Sequence, residues 1–293
     1  MNVLNGDTST APLLDHTALD LDGADRVGYR LEQSFRYDYP TPVGSVRQRL
    51  VFVPAARHGD QHLREHDVTV LGAASRRWTT SDLSGNTIVK AFAPAVADHV
   101  EFRLRAVLER VRADGPTTLP SLALTDRRLR RTTRLTAADD AIRDVAAGFR
   151  GHGLDLAEQL CAWVHSALRY ANGTTTVTTT AAEALAGGVG VCQDSAHLML
   201  ALCHQVGLPA RYVSGHLLGQ GGTHAWVEVI LPHPHGAVAT PFDPCNGRRA
   251  TAAYLTVATG RDYADVAPTS GSYVGAPGGT LTATRTVGVI AVS

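Results

Sequence analysis

Gly187-Gly-Val-Gly-Val-Cys-Gln-Asp-Ser-Ala-His-Leu-Met-Leu-Ala-Leu-Cys-His-Gln-Val-Gly207 is the stretch on which the fold of this chain turns. Glycines crowd its start. From Cys192 to Val206 a helical period follows, with Ser195, Met199, Leu202, Cys203 and Val206 on one face. Gly207 stands where a left-handed residue ends a helix, and Pro209 bars continuation. Cys192 therefore opens the predicted helix. A thiolate there meets the positive end of the helix dipole, and the unpaired N–H groups of the first turn can hold an oxyanion. The glycines allow a tight turn and close approach of a substrate. A core cysteine that merely starts a helix has the same local sequence, so Cys192 alone does not make a site.

Downstream, two further residues give it partners. His224 lies 32 residues on, opening the strand-like run His224–Leu231 just after Gly221-Gly-Thr223. Asp243 follows 19 residues later, at the end of the strand-like run 239–243. Neighbouring antiparallel strands would bring His224 and Asp243 side by side. The carboxylate would then hold the ring in one tautomer, and the ring would activate the thiol.

Upstream, Ala137–Phe149 and Leu156–Leu168 carry apolar residues three and four apart and read as amphipathic helices, and Ala181–Ala186 as a short one. Nearer the N-terminus the period is two. Tyr29, Leu31, Gln33, Phe35, Tyr37 and Tyr39 alternate with Arg30, Glu32, Ser34, Arg36 and Asp38, the pattern of a half-buried strand. Gln48–Pro54, His66–Leu71, Thr87–Phe92 and Val100–Val111 continue a run of short strands. The expected organisation is a flexible arm over 1–26, a β-rich domain over 27–115 and a linker over 116–135. A catalytic core over 136–293 then includes C-terminal strands such as Thr280–Val292. The expected class is α+β.

The chain has 293 residues, 44% hydrophobic and 18% charged, enough for a substantial core. Lys and Arg number 27, as do Asp and Glu, so no global field draws it to nucleic acid or an anionic membrane. Four scattered cysteines do not make a disulfide framework. The first 25 residues carry Asp7, Asp15, Asp20, Asp22 and Asp25 without a basic or apolar leader segment. No apolar run reaches the ~18 residues of a membrane span. A cytoplasmic location is expected.

Four motifs in order carry a family resemblance: Gly190-Val-Cys-Gln-Asp-Ser-Ala-His197, Gly207-Leu-Pro-Ala-Arg-Tyr-Val-Ser-Gly215, His224-Ala-Trp-Val-Glu-Val229 and Phe242-Asp-Pro-Cys-Asn-Gly247. They resemble the transglutaminase-like superfamily, in its bacterial branch with a β-rich N-terminal region, which Tyr29–Pro54 resembles. Gly260–Pro268 is similar to the segment that comes after the third catalytic residue in that family. The resemblance implies a papain-like core in which Cys192 is the nucleophile, His224 the base and Asp243 the orienting carboxylate. It implies acyl transfer to amines, amide or peptide hydrolysis, or amide formation, with no cofactor or metal required. The expected partner is a peptide, amide or carrier-bound acyl substrate.

Two departures bear on the pocket. Ser195 stands where relatives carry an aromatic residue, and Cys245 puts a second thiol after Asp243-Pro244. Ser195, Trp226 and Tyr170 are the candidate pocket residues, with Tyr170 or the Thr174–Thr180 stretch as second oxyanion donor. The β-rich domain is expected to narrow access and select the substrate. Asp194 reads as a partner for helix-terminal N–H groups, Cys161 and Cys203 as core, and His197 as structural support. His58, His62 and His66 recur every four residues, but Gly59 and Asp60 interrupt them and the stretch borders a strand, so a metal face is set aside. The rival reading is a non-catalytic peptide-binding module that retains the fold.

Overall fold

Tyr29, Leu31, Gln33 and Phe35 lie on the buried face of β1 (Arg26–Asp38), as the two-residue period predicts. The computed structural model describes residues 11–293. After β1 come β2 (Val43–Val53), β3 (Arg57–His58), β4 (Gln61–Leu71), β5 (Arg76–Ser81), β6 (Thr87–Val96) and β7 (His99–Val111), then the short β8 (Thr118–Leu119). The second half runs α1 (Asp140–Gly148), α2 (Gly153–Ala167), β9 (Arg169–Tyr170), α3 (Ala181–Gly187), β10 (Val189–Gly190) and α4 (Cys192–Gln205). It continues through β11 (Ala210–Leu217), β12 (His224–His233), β13 (Gly236–Asp243), β14 (Arg248–Arg249), β15 (Tyr254–Gly260) and α5 (Tyr263–Val266) to β16 (Thr269–Val274) and β17 (Thr280–Val292). The α+β class expected from the sequence is the class observed.

Two sheets form the β-rich part, in the orders β17-β1-β7-β4-β3 and β16-β2-β6-β5. Phe35 of β1 and Phe52 of β2 meet between them, ring centroids 6.0 Å apart. Both C-terminal strands therefore belong here and not with the catalytic core to which the sequence reading assigned them. β17 pairs with β1 over its whole length and β16 with β2. The reason is an edge each sheet would otherwise leave open: β1 and β2 have neighbours on one side only until the chain returns.

The third sheet, β14-β13-β12-β11-β15 with β8 on β13, carries the helices. Ala225, Val227 and Val229 of β12 join the core cluster that also takes in α4. α4 is buried all round from Gln193 to Cys203, not on one face, because α1, α2 and α3 surround it on the sides the sheet leaves open. Gly207, at φ +78°, ends it as predicted.

Two further expectations are corrected. The linker is packed: Leu119, Ala123, Leu124 and Leu129 cover Ile230, Ala237 and Ala239. Of the arm, residues 1–10 lie outside the described residues, and 11–25 are tied down. The Leu14 N–H donates to the Val289 carbonyl at 2.8 Å, and Asp22 Oδ1 accepts from the Ala252 N–H at 2.7 Å.

Candidate active site

Three element ends converge. Cys192 is the first residue of α4, His224 the first of β12 and Asp243 the last of β13. The β12–β13 register sets Val227 against Phe242, so Asp243 lies one position beyond that pair, beside Trp226 and diagonal to His224 at the mouth of β12. His224 Nε2 and Asp243 Oδ2 are 2.7 Å apart, with side chains 2% and 0% exposed. The Cys192 thiol is the ring's other side-chain hydrogen-bond partner, and its sulfur is half-buried.

The electrostatics follow from these contacts. Burial works against a charge on His224, but hydrogen bonds to Asp243 and Cys192, and their negative charge, push its pKa up to about 9. Burial likewise opposes the Asp243 charge. His224, Asn246 and Tyr254 outweigh it and hold the carboxyl below the usual range. Five donors reach that carboxylate. Oδ2 accepts from His224, from Asn246 Nδ2 at 2.7 Å and from the Tyr254 hydroxyl at 2.7 Å, and Oδ1 accepts from the Cys245 and Asn246 N–H groups. Arg248 Nε donates in turn to the Tyr254 oxygen at 3.0 Å.

The approach to the nucleophile is held from beneath. Asp194 Oδ2 accepts from the Val191 N–H and from Thr175 Oγ1, which ties the threonine-rich stretch to the start of α4. Burial raises the Asp194 pKa, against the hydrogen bonds from Val191 and Thr175 that lower it. Gly190 is required: a Cβ there would sit 2.7 Å from Asp194 Cβ.

The three expected pocket residues lie in different places. Ser195 is 4% exposed and hydrogen-bonds the Cys245 thiol, so the two departures lie side by side. Burial, then the charges of Cys192 and Asp243, push the Cys245 thiol up to about 12. Trp226 is 1% exposed and stacks on His224 with centroids 6.2 Å apart, so it screens one side of the ring. Tyr170 alone is open, at 54%. β9 pairs it with Gly190, and Cys192 and Cys245 influence its hydroxyl, which donates to Asn172.

Sequence reasoning assigned no role to Tyr254, Asn246 or Arg248. Asn246 stood inside a quoted motif, whereas Tyr254 opens a strand buried on both faces, which shows no alternation. His58 and His62 pair with Glu228 and Asp114 at 2.6 Å each, and among the described residues no group of three His, Cys, Asp or Glu is placed to hold a metal.

Residues 143–244 match the family model described as the transglutaminase-like superfamily, and residues 29–109 the one described as the bacterial transglutaminase-like N-terminal region. An uncharacterized protein of Mycobacterium leprae is 40% identical over 123 residues, 39% of this chain and 42% of that protein. One of Mycobacterium tuberculosis is 35% identical over 147 residues, 45% of this chain and 47% of that protein. The matches thus span under half the length of these curated relatives. The crystal structure of a candidate cysteine protease from Cytophaga hutchinsonii superposes with a TM-score of 0.73 at 20% identity, over 91% of this chain and 92% of that one, a likeness of fold.

Proposed function

Because the chain belongs to the transglutaminase-like superfamily, its core preceded by the bacterial transglutaminase-like N-terminal region, we propose that it is a cysteine acyl-transfer enzyme working through Cys192, His224 and Asp243. The observation that carries the reading is the buried His224–Asp243 hydrogen bond beside a half-buried thiol at the head of α4. Asp243 holds the ring by Nε2, which leaves the other nitrogen to take the thiol proton. The Cys192 sulfur then attacks an amide or thioester carbonyl. Its backbone N–H, at the first position of α4 where no helical carbonyl takes it, is the donor offered to the oxyanion. His224 returns the proton to the leaving amine or thiol, and a Cys192 thioester remains. Water or an amine, deprotonated by the same ring, resolves it.

The substrate is a peptide, amide or carrier-bound acyl group of narrow range. Tyr170 supports this, being the open aromatic beside the thiol, while Ser195, His224, Trp226 and Asp243 are buried. Intact-mass spectrometry with amide and thioester donors tests the chemistry. The expected adduct sits on Cys192. Clearance in water identifies a hydrolase and clearance only with added primary amine a transferase. A set of donors that acylates none of the protein, or acylates Cys192→Ala equally, overturns the proposal.

Cys192 is also expected to alkylate with iodoacetamide more than about 100-fold faster than the other three thiols. Burial pushes Cys161 and Cys245 each up to about 12 and raises Cys203 further. Peptide mapping after brief labelling reads the ratio. Equal rates would favour a peptide-binding module that keeps the fold without the chemistry.

A further inference from the structure

β15 is an edge strand: β11 pairs with it on one side, and among the described residues no strand pairs with it on the other. Side chains of the β-rich domain nevertheless engage backbone groups at Tyr254, Thr256 and Thr259. Tyr29 Oη donates to the Ala252 carbonyl at 2.7 Å, just before the strand, and Arg110 Nη2 to the Tyr254 carbonyl at 2.6 Å. Gln61 Nε2 donates to the Thr256 carbonyl at 2.8 Å, while Gln61 Oε1 accepts from the Thr256 N–H at 2.9 Å. Asn86 repeats the two-point contact at Thr259, at 2.7 and 2.8 Å. A side-chain amide carries a donor and an acceptor in one plane, as a peptide group does. Gln61 and Asn86, 1% and 3% exposed, therefore stand in for residues of a missing neighbour strand.

The strand held in this way begins with Tyr254, whose hydroxyl is one of the three donors on Asp243 Oδ2. We propose that the N-terminal β-rich domain positions the catalytic carboxylate: Gln61, with Tyr29, Arg110 and Asn86, fixes the path of β15, and β15 fixes Asp243 through Tyr254. Gln61 is a positioning residue that touches no member of the triad. The inference rests on the acyl-transfer reading for the task given to Asp243, and its contacts stand without that reading.

The physical consequence concerns the ion pair that Cys192 and His224 form when the proton moves. His224 is faced by Cys192 from α4, by Asp243 from β13 and by the Tyr254 ring from β15, centroids 5.9 Å apart, with Arg248 of β14 reaching it through Tyr254. If β15 drifts, the Tyr254 hydroxyl leaves Asp243, the carboxylate turns in its site, and the imidazolium loses part of its partner. Less thiolate then exists at a given pH.

The test tracks the rate of Cys192 alkylation by iodoacetamide against pH in the full chain, which needs no substrate. In Gln61→Met, matched in size but unable to bond Thr256, the acid limb is expected to move up by half a pH unit or more. Tyr29→Phe, which removes one hydroxyl from the seam and keeps the ring, is expected to shift it the same way by less, and carries the test if Gln61→Met does not fold. In a Tyr254→Phe background the Gln61→Met shift is expected to vanish, because its route runs through that hydroxyl. A lowered melting temperature with an unmoved limb in both seam variants would reduce these contacts to domain glue and overturn the proposal. An equal shift with and without the Tyr254 hydroxyl would overturn the route. Wild-type Cys192 alkylating no faster than Cys161 or Cys203 is a separate outcome and sinks the acyl-transfer reading itself.

Discussion

Cys192→Ala and His224→Ala are each expected to lower turnover by about four to six orders of magnitude, and the double variant by no more than either alone. The non-additivity is the diagnostic part. Without the thiol there is no thioester for His224 to make or resolve. Without the ring, Cys192 loses the group that takes its proton. Asp243→Asn is expected to cost about 10⁴, because the amide reverses the hydrogen bond at His224 Nε2 and can favour the wrong tautomer. Rates on an acyl donor found by mass spectrometry, with circular dichroism to show retained fold, check all four proteins. Losses that multiply in the double variant would separate Cys192 and His224 into independent roles. Neither single change should unfold the protein, since Cys192 is half-buried at a helix start and His224 lies at a strand mouth.

Glu228→Ala is expected to destabilise the fold by about 3–5 kcal/mol while leaving the thiol chemistry in place. Glu228 is 3% exposed in the middle of β12. It meets Arg211 of β11 through Nε and Nη2, each at 2.6 Å, and His58 of β3 at 2.6 Å, so one carboxylate ties the catalytic sheet to the β-rich domain. Truncation leaves the Arg211 guanidinium, 14% exposed, without its anion. The melting temperature should fall by about 10 °C. Glu228→Met combined with Arg211→Met should recover part of the loss, since it leaves neither charge behind.

The pH dependence of that loss has a definite sign. Burial alone would raise the Glu228 pKa, but Arg211 and then His58 pull it down from 4.5 to about 2. A carboxyl held lower in the folded state adds stability that is complete above its unfolded value, about 4.5, and disappears as pH falls through about 2. Denaturant titrations of wild type and Glu228→Ala should therefore differ most at neutral pH and converge between about pH 4.5 and 2. A gap that stays constant across that window would show that packing, and not the ion pair, carries the effect.

How far the site was legible in the chain depends on the range of each interaction. The Tyr29–Tyr39 alternation reports burial of one face, and the Cys192–Val206 stretch is bounded by its glycines and Pro209, so both elements form where the sequence places them even though α4 is covered all round. Cys192, His224 and Asp243 could be picked out because each stands at the end of an element beside glycine or proline. β15 offered no such signal. All seven of its residues are buried, so neither face is polar and the period disappears. Gln61 looks like any polar residue beside a histidine-rich turn, and its partner Thr256 is 195 residues away.

The chain itself was enough for the class of fold, the helices and most of the long strands, the superfamily resemblance and the three residues whose chemistry suits acyl transfer. The class rests on periodicity and helix ends, the resemblance on four motifs in order, and the three residues on the character of a side chain at an element terminus. The return of β16 and β17 to complete the first domain's sheets came only with the folded chain. So did the packing of Cys245 beside Ser195, and the place of Tyr254, held by Gln61 and Arg110, in the shell of Asp243. A pattern of burial says that a face is covered but not by what. The choice of cover is made by backbone edges and buried polar groups that must find partners across the whole chain, and no local stretch contains both halves of such a contact.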